Sequence, residues 1–359
     1  MKTYIFVRNI KYRPSTFYRI FQYLNHSGLT SYELVEFESN LFYEKKTKKR
    51  IVNLFYMLIY SLIPGYIRRL KALMKISNNK SKYKIIIQRE CFPRIITPLG
   101  KLLLTKILKN AYEVYWDLDD NIFDSKEISK YEEILLNNYA KTIIVGNDFL
   151  KSRIMNEKKV VILNTTDIMM ENIDLNIVNK ERKKSFSQEI ILIWVGTKSN
   201  IEFLKNIIPQ LEVLARLVEN KKVRLKVISN IELRTTTKYL IVENIKWNRD
   251  LAFKEMLNSH IGLMPLTENE FTLGKCAFKA VQAIGCGLPV VVSNVGMNKE
   301  VIKKGNGVLI NDNSSWDEAI ISIVSNFQDW EEKSLLSREL WLQDFNSKNN
   351  RKFLLDLLI

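Results

Sequence analysis

The sequence predicts an α/β fold built from two Rossmann-like domains, and three observations lead to it. Short β-branched runs alternate with longer stretches of helical periodicity along most of the 359 residues. That is the pattern of parallel strands joined by covering helices. The pattern starts twice on a strand, at Thr3–Asn9 (TYIFVRN) and at Ile190–Val195 (IILIWV). Between the two starts, residues 165–188 are polar and end in ERKKSFSQ, which reads as a linker. The division is therefore a domain at 1–165, a linker at 166–188, a second domain at 189–328 and a C-terminal helical segment at 329–359.

Taken in order, the first strand leads through a loop at Lys11–Ser15 into a helix at Thr16–Leu24, with Phe17, Ile20, Phe21 and Leu24 inward. Further strands are predicted at Leu34–Phe37, Tyr83–Arg89, Ala111–Leu118, Ile143–Gly146 and Val160–Leu163, with helices at Leu102–Leu108 and Asp148–Arg153. After the linker, Gly196, Thr197, Lys198 and Ser199 form a strand-to-helix loop before a helix at Ile201–Val218. Strands at Val223–Ile228 and Tyr239–Ile245 and a helix at Leu251–Leu257 follow. Ile261–Leu266 reads as a buried strand end, 267–274 as a polar loop and Cys276–Ile284 as a helix stopped by Gly285 and Gly287. Pro289–Ser293 has the β-branched content of a strand buried on both faces, and a helix follows near Met297. Trp316–Phe327 and Trp330–Ile359 are helical.

Composition narrows the function classes. Three widely spaced cysteines, Cys91, Cys276 and Cys286, imply a reducing compartment without a disulfide framework or zinc spacing. Two histidines, His26 and His260, argue against a His-rich metal centre, and His260 reads as structural. No signal peptide is visible before the first strand. Residues 1–110 hold 22 Lys+Arg against 5 Asp+Glu, a net of +17, so the remainder of a +16 chain nets −1. A basic N-terminal domain implies an anionic partner: an acidic membrane surface, an anionic glycan or, ranked last because no nucleic-acid motif accompanies the charge, nucleic acid. Lys45, Lys46, Lys48, Lys49 and Arg50 precede an apolar run at Ile51–Ile63, too short to span a bilayer and suited to an interfacial membrane contact. The alternative is a core helix with solvated lysines at its start.

In open α/β sheets, ligands bind outside the carboxyl ends of strands. The loops at 267–275 and 293–298 are therefore candidate ligand sites, and Lys275 and Lys279 at the start of a helix suit a diphosphate. The stretch GKCAFKAVQAIGCGLPVVVSNVG, residues 274–296, resembles the donor-binding core of retaining GT-B glycosyltransferases of group 1 (family 4). QRECFP at 88–93, DLDDNIFD at 117–124, GND at 146–148 and WVGTKSN at 194–200 follow the same order and spacing. The resemblance runs from about Gln88 to the C-terminus. It departs from the common pattern in one respect: the two family glutamates, eight residues apart, fall on Gly274 and Gln282.

The resemblance implies two domains facing a cleft, with the C-terminal helix crossing back onto the first. It implies transfer of a sugar from a nucleoside diphosphate of UDP or GDP type to a growing, lipid-linked cell-surface glycan, with retention, without a metal or other cofactor, at the cytoplasmic face of the membrane. Donor contacts fall on Lys275, Lys279, Gly196, Lys198, Glu268 and Gln282. Glu270 is a further candidate for the donor-sugar hydroxyls. Arg13 and Arg19 lie where family members carry a loop facing both ligands, Arg19 being alternatively a helix-surface charge. Asp117, Asp119 and Asp120, at a strand's carboxyl end, are candidates to orient or deprotonate the acceptor hydroxyl, Asp119 foremost; turn capping by Asp120 and Asn121 is the alternative. Rival readings are a metal-binding Asp117-Leu118-Asp119 motif of a GT-A enzyme, a sugar-nucleotide epimerase, and a degenerate partner subunit or membrane scaffold.

Overall fold

The alternating pattern resolves into two six-stranded sheets. The computed structural model describes residues 1–25, 28, 31–45, 47, 49–156, 159–218, 220–312 and 314–358. The first sheet contains β1 (Lys2–Val7), β2 (Tyr32–Glu36), β3 (Tyr83–Gln88), β4 (Glu113–Leu118), β5 (Thr142–Val145) and β6 (Val160–Ile162), in the order β2-β1-β3-β4-β5-β6. The second contains β7 (Glu189–Val195), β8 (Lys222–Ser229), β9 (Ile241–Lys246), β10 (Ile261–Met264), β11 (Val290–Ser293) and β12 (Gly307–Ile310), in the order β12-β11-β10-β7-β8-β9. Among the described residues every strand pairing is parallel. Strand order reverses between β1 and β3 and between β7 and β10, the two places where sheets of this kind accept ligands.

The chain divides into two units, residues 1–165 with 348–359, and residues 166–347. The segment read as a linker is not irregular. Leu175–Phe186 is a helix, capped by the Asp174 side chain, inside the second unit. It reads as a linker because its buried positions include Asn179, bonded to the Ser334 hydroxyl, and Arg182, bonded to backbone carbonyls, in place of apolar residues. The C-terminal segment is likewise not one helix. Phe327–Leu340 and Trp341–Phe345 stay in the second unit, the backbone turns extended at Asn346, and the helix Ser347–Leu358 groups almost entirely with the first unit. Within that unit the buried Lys84 on β3 donates to the Leu357 carbonyl at 3.1 Å, placing a cation at the negative end of the helix. Asn350 donates to the Asn164 carbonyl at 2.6 Å. All three cysteines are buried thiols outside any disulfide.

Buried polar groups tie helices to strand ends in both units. In the first, Arg69 is fully buried and donates to the Val7 and Val35 carbonyls, each at 2.6 Å, in the last residues of β1 and β2. In the second, His260 Nδ1 accepts the Ile191 N–H at 2.9 Å, and its Nε2 faces Ser185 Oγ at 3.0 Å and the Arg182 carbonyl at 3.3 Å. Burial pushes the His260 pKa down to about 3. The unfolded chain binds this proton near pH 6.5 while the folded chain refuses it until about 3, so the contribution is intact above 6.5 and lost as pH falls toward 3. Urea midpoints should therefore fall between neutral and acid pH, with a slope of up to ~1.4 kcal/mol per pH unit. His260→Asn keeps an acceptor for Ile191 and should flatten that limb; equal slopes in both proteins would assign it to other groups.

Candidate functional site

The ligand-accepting end of the second sheet is built by two close approaches. Gly262 on β10 lies under the helix Phe278–Gly285, and a Cβ there would come within 2.7 Å of Ala283 Cβ. Gly196, just after β7, lies over the Trp194 ring, which a Cβ would meet at 2.2 Å. Between β7, β10 and the helix is a pocket lined by Ile193, Val195, Met264, Ala280 and Ala283, with Lys279 as its charged member. Ser293 and Asn298 fix the loops above it: Ser293 Oγ accepts the Leu266 N–H at 2.9 Å, and Asn298 Nδ2 donates to the Ser293 carbonyl at 3.0 Å.

Lys279 Nζ donates to Gln282 Oε1 at 2.9 Å, and Gln282 Nε2 donates to Asp167 Oδ2 at 2.8 Å. The other Asp167 oxygen accepts the Met169 N–H at 3.1 Å. Burial pushes Lys279 down to about 8; Asp167 opposes that shift and Arg249 adds to it. Burial also pushes the Asp167 carboxyl up. Gln282, standing where the resemblance places a glutamate, is thus backed by a buried carboxylate. Asp167 escaped the sequence reading because nothing in its spacing connects it to residues more than a hundred positions away.

The helix begins at Phe278, two residues later than its apolar spacing suggests, because Ala277 is left-handed at φ 46°. A non-glycine residue held there is strained, and such strain gathers at functional sites. Lys275 is half-buried, with Nζ 3.9 Å from the Phe271 ring centroid. The loop expected at 267–274 contains a short helix, Glu270–Leu273, closed by a reciprocal Asn269–Thr272 capping box. Glu268, Glu270 and Lys198 are exposed. The structure therefore joins Lys279, Gln282 and Asp167 in one hydrogen-bonded chain, while Lys198 and Glu268 are exposed loop residues.

At the carboxyl ends of β1, β3 and β4, the first unit carries a network of charges. Arg8 Nε donates to Glu90 Oε1 at 2.6 Å, and its Nη2 to Glu127 Oε2 at 2.6 Å. Arg89 Nη2 donates to Glu127 Oε2 at 2.7 Å, and its Nη1 lies 3.5 Å from Asp119 and 4.0 Å from Asp120. Arg89 is also left-handed, at φ 63°, and its backbone is clamped: its N–H reaches the Asp117 carbonyl and its carbonyl accepts the Trp116 indole N–H, each at 2.7 Å. Asp120 Oδ1 accepts the Asn121 N–H at 3.0 Å, so turn capping is one of its roles. Arg13 is paired with Glu38 by two bonds, at 2.7 and 2.5 Å.

Two expectations need correction. Arg19 is not a helix-surface charge: it is buried, with Nη2 2.6 Å from Asp117 Oδ1 and Nη1 donating to the Leu163 carbonyl at 2.9 Å and Thr165 Oγ1 at 3.0 Å. Asp117 is consumed by that pair and by Gln88 Nε2 at 3.3 Å, which leaves Asp119 and Asp120 as the acidic candidates. The Asp117-Leu118-Asp119 spacing accordingly yields no carboxylate pair: one side chain faces Arg19 and the other Arg89. Of the basic run ahead of the apolar helix, Lys45 Nζ sits 5.2 Å from the Tyr60 ring centroid, Lys49 and Arg50 are exposed, and Lys46 and Lys48 lie outside the described residues.

Residues 189–326, the second sheet and its helices, match the family model for glycosyl transferases group 1. That stretch is group 1 glycosyltransferase-like, and the chain has the GT-B fold. Similar solved structures include Anabaena HepE in complex with UDP-glucose, at TM-score 0.64 and 13% identity, covering 100% of this chain and 99% of that one. Sucrose-phosphate synthase from Thermosynechococcus elongatus follows at TM-score 0.62 and 12% identity, covering 99% and 98%. S. aureus TarM, in complex with fondaparinux, alpha-GlcNAc-glycerol and UDP, has TM-score 0.54 and 16% identity, covering 82% and 59%. At these identities the likeness concerns the fold. No curated protein matches the sequence.

The Arg19–Asp117 pair offers a direct check on the first unit. Arg19→Met strands a buried carboxylate and should cost about 3–5 kcal/mol in urea unfolding. The double variant Arg19→Met/Asp117→Leu should recover most of that loss. If the single variant unfolds like the wild type, the buried pair is not as drawn.

Proposed function

We propose that this protein is a glycosyltransferase that moves a sugar from a nucleoside diphosphate of UDP or GDP type onto a growing, lipid-linked cell-surface glycan. It works at the cytoplasmic face of a membrane, retains anomeric configuration and uses no metal. The observation that carries the donor half is Lys279, set at the start of a helix at the β7/β10 reversal and held by Gln282 and Asp167. The UDP and UDP-glucose named with HepE lend the donor class by analogy.

In this reading the bond from the anomeric carbon to the diphosphate breaks to leave an oxocarbenium-like centre, and the acceptor hydroxyl adds on the face that the diphosphate leaves, so configuration is retained. Charge grows on the leaving oxygens, and cations with helix N–H donors aimed at them lower the barrier. Lys279 and Lys275 supply the cations, while Lys198 and the Gly196 loop border the same strand ends. Gln282, oriented by Asp167, presents its amide toward the ribose, and Glu268 meets the sugar. In the first unit Asp119 and Asp120, held against Arg89, orient the acceptor hydroxyl and take its proton; Arg13 and Arg19 support that wall. The basic first unit suits an anionic glycan on a lipid carrier.

A thermal-shift screen against UDP, GDP, ADP and CMP, with and without Mg²⁺ or Mn²⁺, tests the donor reading. One diphosphate should raise the melting temperature without metal, adding about 2.7 kcal/mol at a hundredfold excess over Kd, and Lys279→Ala should abolish the shift. A flat screen would favour a silent partner subunit, and a strict Mn²⁺ requirement would revive the metal-binding reading. Affinity should also follow the Lys279 proton. The ligand prefers the charged amine, so binding should be level below pH 8 and weaken as pH rises through about 8. A level profile to pH 9.5 or so would remove Lys279 from the diphosphate site.

A further inference from the structure

The helix Arg50–Ser77, 28 residues long, is apolar enough to cross a membrane by length and composition, yet only 11% of its most apolar window is buried. Its two halves behave differently. From Ser61 onward one side of it is built into the first unit: Ser61, Gly65, Arg69, Leu73 and Ile76 are buried, and Arg69 is bonded to the Val7 and Val35 carbonyls. A spanning helix needs about 20 residues in hydrocarbon, and the docked half cannot leave the protein without stranding those bonds. The first half and the outward side of the second carry exposed Ile51, Leu54, Phe55, Leu58, Ile63 and Ile67, with Ile51 at 82% and Phe55 at 58% exposure.

The π-helical turn at Leu58–Leu62 decides the shape of this face. In an unbroken α-helix, Ile63 and Ile67 would rotate away from the Ile51–Leu58 stripe at 100° per residue. One extra residue in the turn shifts the phase back, and the stripe continues in a line. Tyr66 then links it to a second exposed apolar set. Its single hydroxyl proton is shared between the Pro93 carbonyl, at 2.9 Å, and the Ile95 carbonyl, and Ile95, Leu99 and Leu102 are themselves exposed. Charge supplies the rest: residues 45–112 contain 17 Lys+Arg and a single acid, Glu90, which is buried.

We propose that this face rests in the interface of an anionic bilayer, with the helix lying in the plane of the membrane rather than crossing it. The apolar stripe enters the acyl boundary, and Lys45, Lys49, Arg50, Lys71 and Lys101 meet the headgroups. This deepens the reading of a membrane-associated transferase and rests on it only for the choice of a membrane as partner.

The test is co-sedimentation of the purified full chain with vesicles of equal parts phosphatidylcholine and phosphatidylglycerol. Binding should be absent on pure phosphatidylcholine, reversed by high salt, and reduced about tenfold or more in Leu54→Ser/Phe55→Ser/Leu58→Ser. That variant should keep the wild-type melting temperature and any diphosphate-induced shift, so failure of the docking face and failure of the donor reading are separable. No binding to the mixed vesicles, or equal binding by the variant, overturns the proposal. So does a dimer in analytical ultracentrifugation that the variant dissolves, since the face would then belong to a second copy. Bound protein that resists both salt and alkaline carbonate would mean a spanning helix and also overturn it.

Discussion

Two buried guanidiniums hold the carboxyl end of the helix Phe278–Gly285, and the arrangement of the second unit depends on them. Arg182 donates to the Cys286 and Gly287 carbonyls at 3.0 and 3.3 Å and to the Met256 and Leu257 carbonyls at 3.1 and 2.9 Å. Arg338 donates to the Gly285 and Met170 carbonyls, each at 2.7 Å. A helix end leaves its last carbonyls without partners and carries negative potential. Burying that end would be costly, and so would burying an arginine; together each satisfies the other. The rings of Trp330 and Trp341 lie 5.7 and 4.8 Å from the two guanidiniums. With its far end fixed and Gly262 beneath it, the helix has little freedom to slide. Its near end, with the strained Ala277, Lys279 and Gln282, is thereby set in place.

The first unit uses the same device with different partners. Arg69 fastens a helix to the ends of β1 and β2, and Arg19 joins Asp117 to the Leu163 carbonyl and Thr165 at the unit's last strand. Arg8 and Arg89 thread four acidic side chains, Glu90, Glu127, Asp119 and Asp120, into one largely buried network. Arginine suits these tasks because it stays charged and offers five donors in a rigid plane. The basic character of this unit therefore has two sources. Some cations are interior braces, and others, among them Lys45, Lys49, Arg50, Lys71 and Lys101, are exposed.

Much of the fold was legible in the residues, because strands buried on both faces read as continuous β-branched runs. IILIWV and LPVVVS leave no other assignment consistent with their length and flanking turns. The site was legible only in part. Lys279 and Gln282 stand on one helix face, three positions apart, so their contact follows from helix geometry. Their partner Asp167 lies in TTDIMM, a stretch without periodicity, and only folding brings it beneath the helix. Arg19 misled for a related reason: a cation on a helix reads as solvated unless its counter-ion, here 98 residues away, is known. The segment 166–188 misled because a helix buried through arginine and asparagine lacks the apolar stripe that marks a core helix.

By itself, then, the sequence determined the α/β class, two parallel sheets each opening on a strand, the family resemblance of residues 274–296 and the concentration of positive charge before residue 110. These are local properties: side-chain period, turn chemistry and net charge can be read without knowing what touches what. Only the tertiary structure decided which polar residues turn inward, that Asp117 is spent on Arg19, that Asp167 backs Gln282, and that the helix Arg50–Ser77 is anchored in one half and exposed in the other. The reason is that burial of a charged or polar side chain is settled by the carbonyls and counter-ions available where the chain comes to rest, and those partners arrive from distant positions that no local pattern records.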